Sequence, residues 1–142
     1  MFFNKTYEDR LRVWHDFRQG LETSNDPIQD AIDAYDTIPT EHICVDPYTP
    51  SAWPNPWELI SENHYCLFAK LLAIGYSLQL TERFAQAKFE IHIFIDRAKS
   101  NHYYLLSVDE VVIGYENHLR ITRQTLPSNM QPAMHHKMST LN

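Results

Sequence analysis

From Cys66 to Leu80 the chain reads CLFAKLLAIGYSLQL, an apolar stretch interrupted by Lys70 and Ser77. With Tyr65 in front it predicts the longest helix of the chain, one too hydrophobic on every side to lie on a surface. It must be a central, buried helix. The interruptions leave no run of the roughly 18 apolar residues that a membrane span needs. In 142 residues there is room for one domain with one core around such a helix, and a chain of that length needs neither disulfide nor metal to be stable.

The flanking sequence supplies the rest of an α+β fold. Thr6 and Asp9 resemble a helix cap, and Leu11, Trp14, Phe17 and Leu21 follow at near-helical spacing, which predicts a first helix over about 7–20, ended by Gly20. Asn25-Asp26-Pro27 is a stronger start signal. Ile28, Ala31, Ile32 and Tyr35 then give a second helix over 27–36 with Asp30, Asp33 and Asp36 on its outer face. Five of the eight prolines fall between Pro39 and Pro56 and force an extended connector, with one short strand at His42–Val45. The pattern is helical again from Glu58.

After the central helix the period changes. KFEIHIFID over 88–96 alternates, and HYYLLSV (102–108) and VVIGY (111–115) are two further strands joined by Asp109-Glu110 as a two-residue hairpin. Leu119–Thr125 is a fourth candidate strand. The hairpin register sets Leu105 opposite Gly114 and His102 opposite Asn117. It also makes the face with His102, Tyr104, Leu106 and Val108 the apolar one, predicted to meet the central helix. Beyond Pro127 the tail has no periodicity and reads as a loose terminus or an arm that orders on a partner. The expected organisation is a single domain, 1–142: a helical part over 1–38, a Pro/Trp-rich connector over 39–57, a helix-plus-sheet core over 58–126, and a C-terminal arm over 127–142.

Composition excludes several classes of function. The chain holds 3 glycines where average usage predicts roughly ten, and no phosphate-cradling glycine loop can be drawn. A net charge of −6 argues against a nucleic-acid partner, which recruits an excess of Lys and Arg. Two cysteines are too few for a secreted disulfide framework, and the N-terminal stretch has no signal-peptide pattern. The expectation is a soluble protein of a reducing compartment with no membrane partner and no cofactor.

The constellation with chemical content is Cys66, at or just before the first turn of the central helix, where unpaired N–H groups and the helix dipole favour a thiolate. With His102 and Asn117 brought onto the facing side of the sheet, it has the composition of a thiol-hydrolase triad: nucleophile, base and an amide that fixes the ring tautomer. The opposing reading is a small core thiol, a strand-end histidine and turn chemistry. A register slip of one residue would put Glu116 in Asn117's place.

The stretches SAWPNPWELISENHYC and NHYYLLSVDEVVIGYEN, around the apolar helix, resemble the core of the transglutaminase-like superfamily of thiol enzymes. There a W-x-x-P-x-E-L-like segment precedes a catalytic Cys at a helix start, a His opens a following strand, and an Asp or Asn sits on the next. The resemblance covers about residues 51–118 and implies Cys66 as nucleophile, His102 as base and Asn117 as orienting residue. It departs where the family has small and acidic neighbours, G-D-C-x-D, and this chain has His64, Tyr65 and Leu67. Tyr65 and Leu67 would crowd a substrate cleft and supply no polar lining, so the expectation is a degenerate thiol site.

A second resemblance, through YEDRLRVWHDFRQ, NDPIQDAIDAYDTIP, WPNPWELI, SLQLTERF and FEIHIF, is to small proteins of T4-like tailed phages of marine cyanobacteria. It implies a virion or assembly component, in the particle or in host cytoplasm during assembly, whose partners are other phage structural proteins or itself. The surfaces for such contacts are the connector with Trp53 and Trp57, the acidic Asp30 and Asp33, and the arm with Met130, Met134 and Met138. An active cysteine hydrolase or acyltransferase is the competing class.

A third option is a small zinc-stabilised module from His42-x-Cys44 and His64-x-Cys66, whose ligands converge only if His64 and Cys66 both precede the helix. His135-His136 reads as a polar tail able to take adventitious metal. Trp53 and Trp57 form either an aromatic ledge or a lid over the core.

Overall fold

The computed structural model describes residues 1–98, 100–115, 118–122, 131–139 and 141, with the backbone alone at 115 and 118–122. It is an α+β fold. The contacts within the chain form two compact units, dividing between Gln86 and Ala87. The first is helical and the second is a sheet.

In the helical unit α1 (Tyr7–Thr23) starts at Thr6, whose hydroxyl accepts the Asp9 N–H at 3.2 Å. It runs past Gly20, because Trp14 and Leu21 lie on one buried stripe and the packing of Leu21 outweighs the modest helix penalty of a glycine. α2 (Pro27–Asp36) has the predicted bounds, with the Asp26 carboxylate accepting the Gln29 N–H at 3.3 Å and Pro27 in the first turn. Asp30, Asp33 and Asp36 are exposed.

The helical pattern from Glu58 is two helices. α3 (Pro56–Glu62) carries a reciprocal capping box between Asn55 and Glu58 and stops at Asn63, which takes the left-handed conformation at φ 56°. The guanidinium of Arg10 then donates to the Ile60 and Ser61 carbonyls at 2.8 and 3.1 Å and satisfies the end of α3. α4 (Leu67–Gln79) is the predicted buried helix: every residue from Phe68 to Leu78 is buried.

Its two polar interruptions are both bonded. Lys70 reaches the Ile38 carbonyl and the Thr40 hydroxyl, and Ser77 lies between Trp14 and Tyr35. Buried polar groups are tolerated only when paired in this way.

The connector forms no strand at His42–Val45. Its backbone is tied down otherwise: Glu41 N–H donates to the Tyr65 carbonyl at 2.9 Å. Asp46 organises the next turn, accepting from Tyr48 N–H at 2.9 Å and Thr49 hydroxyl at 2.7 Å, while its carbonyl takes the Trp53 indole N–H at 3.1 Å.

The second unit is a five-stranded antiparallel sheet in the order β4-β3-β2-β1-β5. β1 is Phe89–Asp96, β2 Asn101–Val108, β3 Val111–Tyr115, β4 His118–Thr122 and β5 Gln131–Lys137. The hairpin turns at Asp109-Glu110, with Asp109 at φ 52°, and Leu106 faces Ile113 in the expected register. Both faces carry buried side chains: Ile91, Ile93 and Leu106 on one, Phe94, Tyr103, Leu105 and Val112 on the other.

The tail corrects the sequence reading most. Rather than an arm, residues 131–137 form β5 against β1, with a bulge at Ala133 and Pro132 on the sheet's edge, where a missing N–H costs least. Met138 is buried and its N–H donates to the Phe89 carbonyl at 2.9 Å, so it is not a free anchor for a partner. Met134 is half-buried opposite Ile93. Met130 lies outside the described residues.

Candidate functional site

Cys66 occupies the N-cap of α4 with extended backbone (φ −76°, ψ 172°), and its Sγ accepts the Ala69 N–H at 3.4 Å. The first turn of a helix leaves N–H groups without partners, and a cap side chain supplies one. Here the cap is a sulfur, and the connector crosses directly in front of it. The N–H groups of Cys44 and Val45 and the Cys44 thiol lie near enough to Cys66 to lower its pKa. Cys44 Sγ in turn lies 3.8 Å from the His64 carbonyl.

These contacts set the two thiols apart. Burial pushes the Cys66 thiol up, but the N–H groups of Cys44, Ala69 and Val45 and the Cys44 thiol outweigh it, and the net pKa lies below the ordinary 9.0. For Cys44 burial dominates, the nearby Cys66 adds to it, and the pKa is raised. Reactivity also requires access. Cys66 is 2% exposed, between the buried Tyr65 and the buried Phe68, whereas Cys44 is exposed.

Glu41 completes the surroundings. Its carboxylate accepts the Tyr65 N–H at 2.8 Å and stands 3.1 Å from His64 Nδ1, and these bonds hold its carboxyl below the ordinary range. His64, the histidine nearest Cys66 in sequence, is thus paired with Glu41.

The residues singled out in the sequence are distributed as follows. Cys66 belongs to the helical unit. His102 is exposed, is the second residue of β2 and faces Ile95 in the sheet unit. Asn117 and Glu116 lie outside the described residues. The four zinc-compatible residues do not converge: among the described residues His42, Cys44, His64 and Cys66 bring no three ligand atoms together. The sequence groups Cys44 with Cys66 as metal ligands, whereas the structure sets Cys44 near Cys66 as a neighbour that lowers its pKa.

Trp53 packs on Phe68 with ring centroids 5.3 Å apart and acts as the lid over the core, while Trp57 stays exposed, its ring perpendicular to that of Trp14 with centroids 6.4 Å apart. Asp30 takes the Ser24 hydroxyl and Asp33 the Gln29 amide at 2.8 Å, as solvated helix-face carboxylates do. Among the described residues no helix is long and apolar enough to cross a membrane. The chain matches no protein-family model, no curated protein and no solved structure.

Proposed function

We propose that this protein is a protein–protein interaction module of a tailed-phage particle or its assembly, carried on a degenerate thiol-enzyme-like fold. The observation that carries the interaction reading is the connector. Ile43, Tyr48 and Trp57 are 77%, 41% and 44% exposed on a segment that is otherwise pinned down. The Asp46 turn, the Trp53 indole bond and the Tyr76 hydroxyl on the Pro54 carbonyl at 2.7 Å hold that backbone in place. Rigid apolar and aromatic side chains lose little entropy when a partner covers them.

The partner is another protein rather than nucleic acid, given a net charge of −6. The phage context rests on the resemblance of the sequence stretches quoted above. The test is mass spectrometry of purified particles together with an Ile43→Asp/Trp57→Ala chain. Stoichiometric incorporation of the unchanged chain, lost in a variant with an unaltered circular dichroism spectrum, is expected. Absence of the chain from particles and from their assembly intermediates overturns the reading.

A second reading, a cysteine hydrolase or acyltransferase, is favoured by one observation, the lowered thiol of Cys66 at the start of α4. The roles are those the resemblance implies: Cys66 would attack a carbonyl, His102 would take the thiol proton and return it to the leaving group, and Asn117 would orient the ring. The resemblance to the transglutaminase-like core supports it, and the closed setting of Cys66 opposes it. Ester turnover abolished alike by Cys66→Ala and His102→Ala would establish it, and no turnover, or turnover that survives either change, would end it.

A further inference from the structure

The sheet unit holds a cluster that neither reading uses. Glu90 and His92 are two residues apart on β1 and therefore share a face, and His135 on β5 is the direct cross-strand partner of His92. One ligand atom from each lies within 4.8 Å of the other two. His92 Nε2 is 3.8 Å from Glu90 Oε2, and His135 Nε2 contacts that same oxygen. The two imidazoles stack with centroids 4.7 Å apart and planes 11° from parallel, so both turn the same nitrogen toward one carboxylate. Glu90 and His92 side chains are 13% and 14% exposed and His135 is 58% exposed, which leaves one open side.

We propose that Glu90, His92 and His135 form a three-ligand site for a zinc ion, with the fourth position open to water. Two imidazole nitrogens and one carboxylate oxygen are a donor set suited to zinc, and a tetrahedral ion with bonds of about 2.1 Å sets its ligand atoms about 3.4 Å apart. The cluster reaches that spacing by small side-chain rotations, the exposed His135 drawing back from Glu90 and His92 closing in. Ser107 Oγ, 3.1 Å from the same His92 Nε2, gives up that bond when the ion takes the nitrogen's lone pair and is then placed to bond an ion-bound water. Lys88, 3.4 Å from the other Glu90 oxygen, is 64% exposed and can turn into solvent when the ion enters. Because two ligands come from β1 and one from the edge strand β5, the ion fastens the C-terminal strand to the sheet.

The test is titration of the full chain with Zn²⁺ by calorimetry and with Co²⁺ by visible absorption, with circular dichroism confirming that each variant is folded. The expected result is one ion per chain, a tetrahedral Co²⁺ spectrum, and affinity reduced on the order of a hundredfold in Glu90→Gln and in His135→Ala. His136→Ala, whose side chain lies on the opposite face, is expected to bind like the unchanged chain, which separates this site from an adventitious pair of adjacent histidines. Absence of one-to-one binding, or unchanged affinity in Glu90→Gln or His135→Ala, overturns the site. So does an equal loss in His136→Ala.

Discussion

At the scale of single residues, Ser77 does the most for the helical unit. Its hydroxyl donates to the Ala73 carbonyl at 2.8 Å and receives the Trp14 indole N–H at 2.9 Å, with the Tyr35 hydroxyl 3.1 Å away, so one small side chain ties α1, α2 and α4. Burial pushes the pKa of the Tyr35 hydroxyl up to about 12, against the Ser77 bond that pulls it down. Ser77→Ala leaves two buried polar groups without their partner, and urea denaturation should show a loss of about 2 kcal/mol or more. A change within a few tenths would mean that the hub is not made.

Glu41 gives a pH signature. Its carboxyl is held below its unfolded value, first by the Tyr65 N–H and then by His64, so the unfolded chain binds more protons in the acid range. The stability it contributes is therefore present above the ordinary value of 4.5 and lost as pH falls through the folded value. Urea midpoints of the unchanged chain and Glu41→Gln should differ at pH 7 and converge toward acid. A constant gap would contradict the assignment.

At the scale of elements, β5 has the clearest consequence. A free arm would tolerate Met138→Ala, whereas a buried Met138, 6% exposed, predicts a loss of about 2 kcal/mol on thermal or urea unfolding. An unchanged midpoint would restore the arm. The same strand shows what was legible in the sequence. α2 and the β2–β3 hairpin were readable because each is specified locally, by a proline-bounded cap and by two apolar, β-prone runs either side of two turn residues.

β5 was not readable, since QPAMHHK has a proline and a bulge that hide its period, and its pairing with β1 is a long-range choice. The split between α3 and α4 escaped because Asn63 stops α3 by adopting a left-handed conformation that Asn permits but does not announce. The start of α3 repeats, in Asn55-Pro56, the signal that marks α2.

At the scale of the whole molecule, the candidate site was legible in part. The place of Cys66 at or just before the first turn of the buried helix followed from the onset of the apolar run, and the structure makes it the N-cap. The approach of Cys44 and Val45 to Cys66 did not follow, because a connector's path depends on tertiary contacts such as Glu41 with Tyr65. Nor did the Glu90–His92–His135 cluster, although the alternation that puts Glu90 and His92 on one face was visible and lacked only the third strand.

Under the proposed function the protein works through its exposed connector rather than through its thiol. The most direct test is the pH dependence of iodoacetamide alkylation at the two cysteines, resolved by peptide mass spectrometry on the folded chain. Cys44, exposed, is predicted to react with a midpoint above the ordinary thiol, and Cys66, sealed at 2% exposure, to react far more slowly than Cys44 at every pH despite its lowered pKa. Fast alkylation of Cys66 near neutral pH, outpacing Cys44, would contradict that claim and leave the thiol enzyme as the better description.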